Sequence, residues 1–176
     1  MGMGGNDTLI GGDGFVTADY SLSPAGIVAN LSTGQVQDGH GSLDTLISIS
    51  KITGSAKDDI FEITNNLDLH QYTLDGGTGT DVIKKSGSGG VYTLGDSNFH
   101  IANIEKLDFA DGQNDTLSVE LTGLFSGALA KSSISLSTDA GDTVHIDPTG
   151  GWNMTSSDSN HQTWNNGEQN FTWSWA

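Results

Sequence analysis

Gly76-Gly77-Thr78-Gly79-Thr80-Asp81-Val82-Ile83-Lys84 is the stretch on which the fold turns. Its first half is glycine-rich and ends on an aspartate; its second half is a short run led by β-branched apolar residues. Glycine takes backbone angles closed to other residues, so the first half reads as a tight turn and the second as a strand. The closing phrase is Asp, any residue, then a bulky apolar residue. It recurs at Asp7-Thr8-Leu9, Asp44-Thr45-Leu46, Asp59-Ile60-Phe61, Asp115-Thr116-Leu117 and Asp142-Thr143-Val144. Such self-similarity marks a chain that stacks one small unit on the next.

Outward from this stretch the copies decay. Gly2-Met3-Gly4-Gly5-Asn6-Asp7-Thr8-Leu9-Ile10 is nearly full, and Gly11-Gly12-Asp13-Gly14-Phe15 begins another, with Val16 where an Asp is expected. Gly54-Ser55-Ala56-Lys57-Asp58-Asp59-Ile60-Phe61 keeps only the leading glycine and the Asp-x-apolar end. Residues 17–53 alternate in strand fashion through Ala18, Tyr20, Leu22, Ile27, Ala29, Leu31, Leu46, Ile49 and Ile52. Turns are expected at Ser23–Gly26, Ser32–Gly34 and Gln37–Gly41. Lys84 to Gly90 reads as a loop, and further strands are expected around 91–94, 101–104, 106–109, 116–119, 134–137 and 143–146. One short helix is expected over 122–132, weakened by Gly123 and Gly127. Residues 150–176 hold all four tryptophans and read as a final hairpin turning at Asn165-Asn166-Gly167, closing the stack.

The expected fold is therefore all-β: a parallel β-solenoid, or β-roll, with degenerate turns and a C-terminal β cap. Residues 1–110 are read as the solenoid and 111–176 as a capping region that continues it.

Composition narrows the function. Acidic residues outnumber basic ones 22 to 6, for a formal net charge of −16. Nucleic acid is excluded as a partner, since binding it takes Lys and Arg against phosphates, and an anionic membrane surface is excluded for the same reason. Cysteine is absent, which rules out disulfides and thiolate metal sites. No apolar stretch approaches the ~20 residues of a membrane span. The N-terminus enters a repeat at once with no signal-peptide core, which favours a piece of a longer chain.

Stacked acidic turns call for a cation. In a parallel stack equivalent residues lie ~4.8 Å apart, and two bare carboxylates at such a distance repel by about 1 kcal/mol in water and about 4 kcal/mol at a protein surface. With the apolar residue of each phrase pointing inward, the aspartates are expected on the outside of the turns. Calcium takes 6–8 oxygens from carboxylates and carbonyls, whereas magnesium holds its water and zinc prefers nitrogen or sulfur. The candidate ligands are Asp7, Asp13, Asp75 and Asp81 with the carbonyls of Gly5 and Gly79, joined by Asn6, Asp59 and Asp115. Asp44 and Asp142 read as turns that keep the phrase without metal.

At Gly4 to Phe15 and Gly76 to Lys84 the chain resembles the repeats-in-toxin (RTX), or hemolysin-type calcium-binding, family. Ile49 to Phe61 looks like the irregular segments beside such repeats, and Asn103 to Val144 resembles the C-terminal region of large secreted RTX adhesins. The resemblance implies a right-handed parallel β-roll that folds on calcium outside the cell, exported by type I secretion from a Gram-negative bacterium. It implies an extracellular, cell-surface role with calcium and neighbouring domains as partners. The chain departs from the family in lacking an uninterrupted repeat array.

No Gly-x-Ser-x-Gly elbow, His-Glu-x-x-His helix or P-loop occurs, and His40, His70, His100, His145 and His161 are scattered. The chain is read as non-catalytic, with no catalytic residues. Asp147-Pro148 reads as an ordinary turn after a strand. The tryptophans offer an alternative: Trp152, Trp164 and Trp173 lining a site for surface or matrix polysaccharide, against a hydrophobic cap that buries the same rings. An accessory domain of a secreted enzyme is the third reading.

Overall fold

A computed structural model describes residues 4–64, 67–126 and 133–176. The chain runs through β1 (Thr8–Ile10), β2 (Thr17–Asp19), β3 (Val28–Asn30), β4 (Gln35–Gln37), β5 (Leu43–Ile47), β6 (Lys51–Thr53), β7 (Ile60–Thr64), β8 (Thr73–Asp75) and β9 (Val82–Ser86). It continues through β10 (Val91–Leu94), β11 (His100–Ala102), β12 (Lys106–Asp108), β13 (Thr116–Glu120), α1 (Leu121–Leu124), β14 (Ser133–Thr138), β15 (Thr143–Asp147), β16 (Asn153–Ser157), β17 (His161–Asn165) and β18 (Asn170–Trp175). The protein is nearly all-β. Of the helix expected over 122–132, a single turn forms at Leu121–Leu124, and residues 127–132 lie outside the described part.

The strands collect into three sheets. The long sheet has the order β1-β5-β4-β3-β7-β9-β12-β14-β18-β17-β16; a second is β11-β8-β6-β2 and a third β10-β13-β15. The second and third are parallel throughout, as is the run β3-β7-β9-β12-β14-β18. Parallel neighbours need a crossover, and here the crossover is a visit to another sheet. Thus β7 leads to β8, β9 to β10 and β11, and β12 to β13, before the chain returns.

Register turns the sequence phrase into a core. Ala29, Phe61, Ile83, Leu107 and Leu136 hold matching positions on successive strands of the long sheet, and each is fully buried. Ala18, Ile52 and Leu74 do the same in the second sheet, Tyr92 with Leu117 and Leu94 with Val119 in the third. The three columns meet in one hydrophobic cluster. Each large side chain so buried contributes ~1.5–3 kcal/mol.

One segment breaks the expected parallel order. β3, β4 and β5 form an antiparallel meander inside the long sheet. Its first turn is tight because Gly34, at φ 69°, donates to Asn30 O at 2.9 Å. At the other end β16, β17 and β18 are antiparallel while β18 rejoins β14 in parallel. The turn expected near Asn165–Gly167 falls there, with Gly167 at φ 99°. The outermost strand, β16, is exposed along its length and bulged between Met154 and Ser156, which blunts a bare edge.

Close approach of successive turns explains the glycine of the opening stretch. A Cβ on Gly76 would lie 2.3 Å from Asn103 O and 2.4 Å from Asp81 Oδ2, whereas one on Gly12 would meet nothing within 4 Å. Gly76→Ala is therefore expected to cost about 1–3 kcal/mol, and Gly12→Ala less than about 0.5 kcal/mol, both read from urea unfolding curves.

Candidate functional site

Four of the six aspartates of the repeated phrase do not stand outside the turns, while Asp7 and Asp142 are partly exposed. Asp44, Asp59 and Asp81 are 0 % exposed and Asp115 is 1 % exposed. Each sits just before or at the start of a strand and aims its carboxylate at main-chain N–H groups of a neighbouring pass. Asp44 Oδ1 accepts from Asp7 N (2.9 Å), Asp59 Oδ1 from Ile27 N (2.7 Å) and Asp81 Oδ1 from Asp59 N (2.8 Å). In the third sheet Asp115 Oδ1 accepts from Gly90 N (2.6 Å) and Asp142 Oδ1 from Asp115 N (2.8 Å). The result is two rows of carboxylate-to-backbone bonds, one beside the long sheet and one beside the third. Charge-assisted bonds of this kind are worth about 1.5–3 kcal/mol apiece.

Glu105 occupies the next rung of the first row, accepting from Asp81 N at 2.7 Å. Sequence reading missed it by demanding Asp. Glu105-Lys106-Leu107 has the same acid-x-apolar form, and Lys106 pairs in register with Val82. Tyr20 was missed as well: its hydroxyl donates to Asp44 Oδ2 at 3.0 Å, and burial together with that carboxylate raises its pKa.

The other acids are compensated differently in the two rows. Beside the third sheet, Lys85 is buried and its ammonium lies 2.8 Å from Asp111 and 3.0 Å from Asp115. The sequence alone predicts a loop over Lys84 to Gly90. β9 instead extends to Ser86, and strand alternation turns Lys85 inward while Lys84 stays exposed. Burial works against the Lys85 charge, but the hydrogen bonds it donates to Asp111 and Asp115 and the charges of those carboxylates outweigh it and raise its pKa. Beside the long sheet, Asp59 is held by neutral donors: besides Ile27 N it accepts from Ser55 N (2.6 Å) and Ser55 Oγ (2.8 Å). Burial nevertheless raises its pKa, as it does that of Asp142.

The remaining candidate ligands are dispersed. Gly5 N donates to Ser42 Oγ at 2.9 Å and Asn6 Oδ1 accepts from Leu43 N at 3.0 Å, so both tie the first turn to the one below. Asp7 contributes main chain to its rung, its carbonyl accepting from Thr45 N at 2.8 Å. Asp13 is exposed. Asp75 accepts from Gly77 N at 3.1 Å and Asn103 Nδ2 at 2.7 Å. Gly79 is exposed at φ 137° and packs its backbone on Lys57.

Calcium takes 6–8 oxygens around one point, from carboxylates and backbone carbonyls. Among the described residues no group of three or more Asp, Glu or His side chains converges to hold a metal. The turn 76–81 has a turn of equal length on one side only, at 54–59, where Lys57 places a positive side chain. On its other side the link from β11 to β12 is just 103–105. Both oxygens of Asp44, Asp59 and Asp115 already have partners within the protein.

The tryptophans divide. Trp152 and Trp164 are buried, packed on Phe125 and Phe171 at ring-centroid distances of 4.8 and 5.8 Å. Their burial agrees with the hydrophobic cap and goes against the alternative in which the same two rings face a polysaccharide. Trp173 and Trp175 are half-buried and pack on each other at 4.4 Å. Asp147, at the end of β15, accepts from Thr149 N at 3.0 Å, closing an ordinary turn around Pro148.

No protein-family model and no curated protein matches the chain.

Two outcomes follow from the buried charges. Lys85→Met leaves Asp111 and Asp115 without their cation and is expected to cost about 3–5 kcal/mol in denaturant unfolding; Lys85→Met with Asp115→Asn recovers part of that. Asp59 and Asp142 have folded-state pKa values above the ordinary 3.8, so their contribution to stability is full below that value and is lost as pH rises through the folded-state pKa. Melting temperature is expected to rise as pH is lowered from 7 toward the ordinary carboxylate range, with a smaller rise in Asp142→Asn.

Proposed function

We propose that this chain is a non-catalytic structural segment of a secreted bacterial surface protein of the RTX adhesin kind, folded as a right-handed parallel β-roll. The observation that carries this reading is the register of acid-x-apolar phrases. Asp59 N bonds to the Asp81 side chain and Asp81 N to that of Glu105, while Phe61, Ile83 and Leu107 hold matching positions on one column. That arrangement extends by repetition, which suits a spacer that sets other domains apart. Large apolar side chains near the first strands support the same reading. Ile10, Phe15 and Leu22 are 70, 92 and 69 % exposed, and a neighbouring coil of a longer chain would cover them.

In this reading the carboxylate rows, rather than a metal between turns, hold the passes together. The −16 net charge keeps the surface soluble and repels nucleic acid. The calcium switch drawn from the family resemblance is tested directly by circular dichroism and thermal melting in excess chelator, followed by calcium titration. The expected result is a β spectrum and cooperative melt in chelator, moved only slightly by millimolar calcium. A disordered spectrum in chelator that turns to β on adding calcium overturns the metal-free reading and restores calcium-driven folding.

A further inference from the structure

A cleft of about 190 Å³ opens beside β14 and β18, lined by Thr138, Asp139, Ala140, Asp142, Trp173 and Trp175. We propose that it binds a quaternary ammonium group, held against the uncovered faces of the packed Trp173 and Trp175 rings and beside the carboxylates of Asp139 and Asp142. The proposal is independent of whether calcium drives folding.

The site is built rather than incidental. Trp173 and Trp175 are two apart on β18, so strand alternation puts both on the face that holds Phe171 in the core. The cluster of buried apolar residues reaches Trp173 and leaves it partly open. Trp173 Nε1 donates to the buried Thr138 Oγ1 at 3.0 Å, which fixes its ring. Trp175 is fixed through its main chain: its N donates to Asn160 O at 3.0 Å and its carbonyl accepts from Asn160 Nδ2 at 3.1 Å. The rings tilt by 41° to one another, so their faces are not fully covered by stacking.

The acids are fixed too. Asp142 accepts from Asp115 N at 2.8 Å and Asp139 N at 3.0 Å; Asp139 accepts from Gly112 N at 2.5 Å and Gly141 N at 3.3 Å. A carboxylate has about four acceptor positions, so each keeps capacity for a further partner. No Lys, Arg or His lines the cleft, and Lys85, which neutralises Asp115, engages Asp111 rather than these two. Two clustered negative charges beside two indole faces suit a cation, since a ring face attracts positive charge most strongly when the ring is Trp. The same lining repels anions. A neutral sugar would stack on the rings but leave the paired charges uncompensated. The volume, below the ~300 Å³ of drug-sized pockets, suits a small group.

The test is tryptophan fluorescence and calorimetry on the whole chain, with choline and tetramethylammonium as probes. The neutral choline isostere 3,3-dimethylbutanol, cellobiose, calcium chloride and phosphatidylcholine vesicles serve for comparison. Saturable binding of choline and tetramethylammonium, absent for 3,3-dimethylbutanol, is the expected result. Asp139→Asn should weaken it roughly tenfold, and Trp175→Ala should abolish it, with the far-ultraviolet spectrum unchanged. Added vesicle binding identifies a lipid headgroup as a source of the group; its absence points to the free cation. Equal binding of the neutral isostere, binding of cellobiose alone, displacement of choline by calcium at equal concentration, or no binding to the wild-type chain overturns the proposal. The comparison of choline with its isostere needs no variant, so a misfolded mutant leaves the test intact.

Discussion

A carboxylate that accepts a main-chain N–H from the neighbouring pass is the interaction on which this structure depends. Parallel strands joined through other sheets need something to fix the height of one pass against the next. Hydrogen bonds between strands do this only where strands exist, and most strands here are short. The acid at the strand entrance extends the ladder beyond the strand. It satisfies an N–H in the turn, where backbone groups would otherwise lack partners, and it sets the apolar residue two places on directly over its counterpart. Asp59 and Asp81 show the economy of the device, since Asp59 receives bonds through its side chain while its own N–H serves the next rung.

Burying acids creates an electrostatic cost that the protein meets in two ways. Beside the third sheet it supplies a cation, Lys85, between Asp111 and Asp115. Such a pair is no great source of net stability compared with an apolar replacement, but losing one partner leaves the others stranded. Beside the long sheet it supplies hydroxyl and amide donors, as Ser55 and Tyr20 do. The pKa of Asp59 is raised because burial outweighs the hydrogen bonds from Ile27 and Ser55. At the C-terminal end Asp139 and Asp142 lie beside two half-covered indoles with no cation lining the cleft. The same negative surplus that is managed inside is thereby presented at the surface.

Much of the fold was legible in the phrase itself. The apolar columns, the strand positions and the final turn near Asn166 follow from alternation, β-branched content and turn residues, all of which act locally. Glu105 was equally visible once the requirement is an acid rather than an aspartate. Lys85 was not, because a basic pair beside glycines reads as a loop, and only the extension of β9 decides which lysine turns inward. The fates of the tryptophans were also hidden. Trp152 and Trp164 are buried through partners, Phe125 and Phe171, whose proximity depends on how the last strands fold back.

By itself the sequence determined that short β units would stack, that acids would recur at the strand entrances, and that the chain would carry a large negative charge. Those are properties of period and composition. Only the tertiary structure decided which way the acids face, that the segment after β2 doubles back as an antiparallel meander, and which tryptophans remain open. The reason is physical: a side chain's surroundings at a strand entrance are made by residues some 20–40 positions away, as the sequence separations of 22, 24, 32 and 37 across the rungs show. No local pattern carries that information.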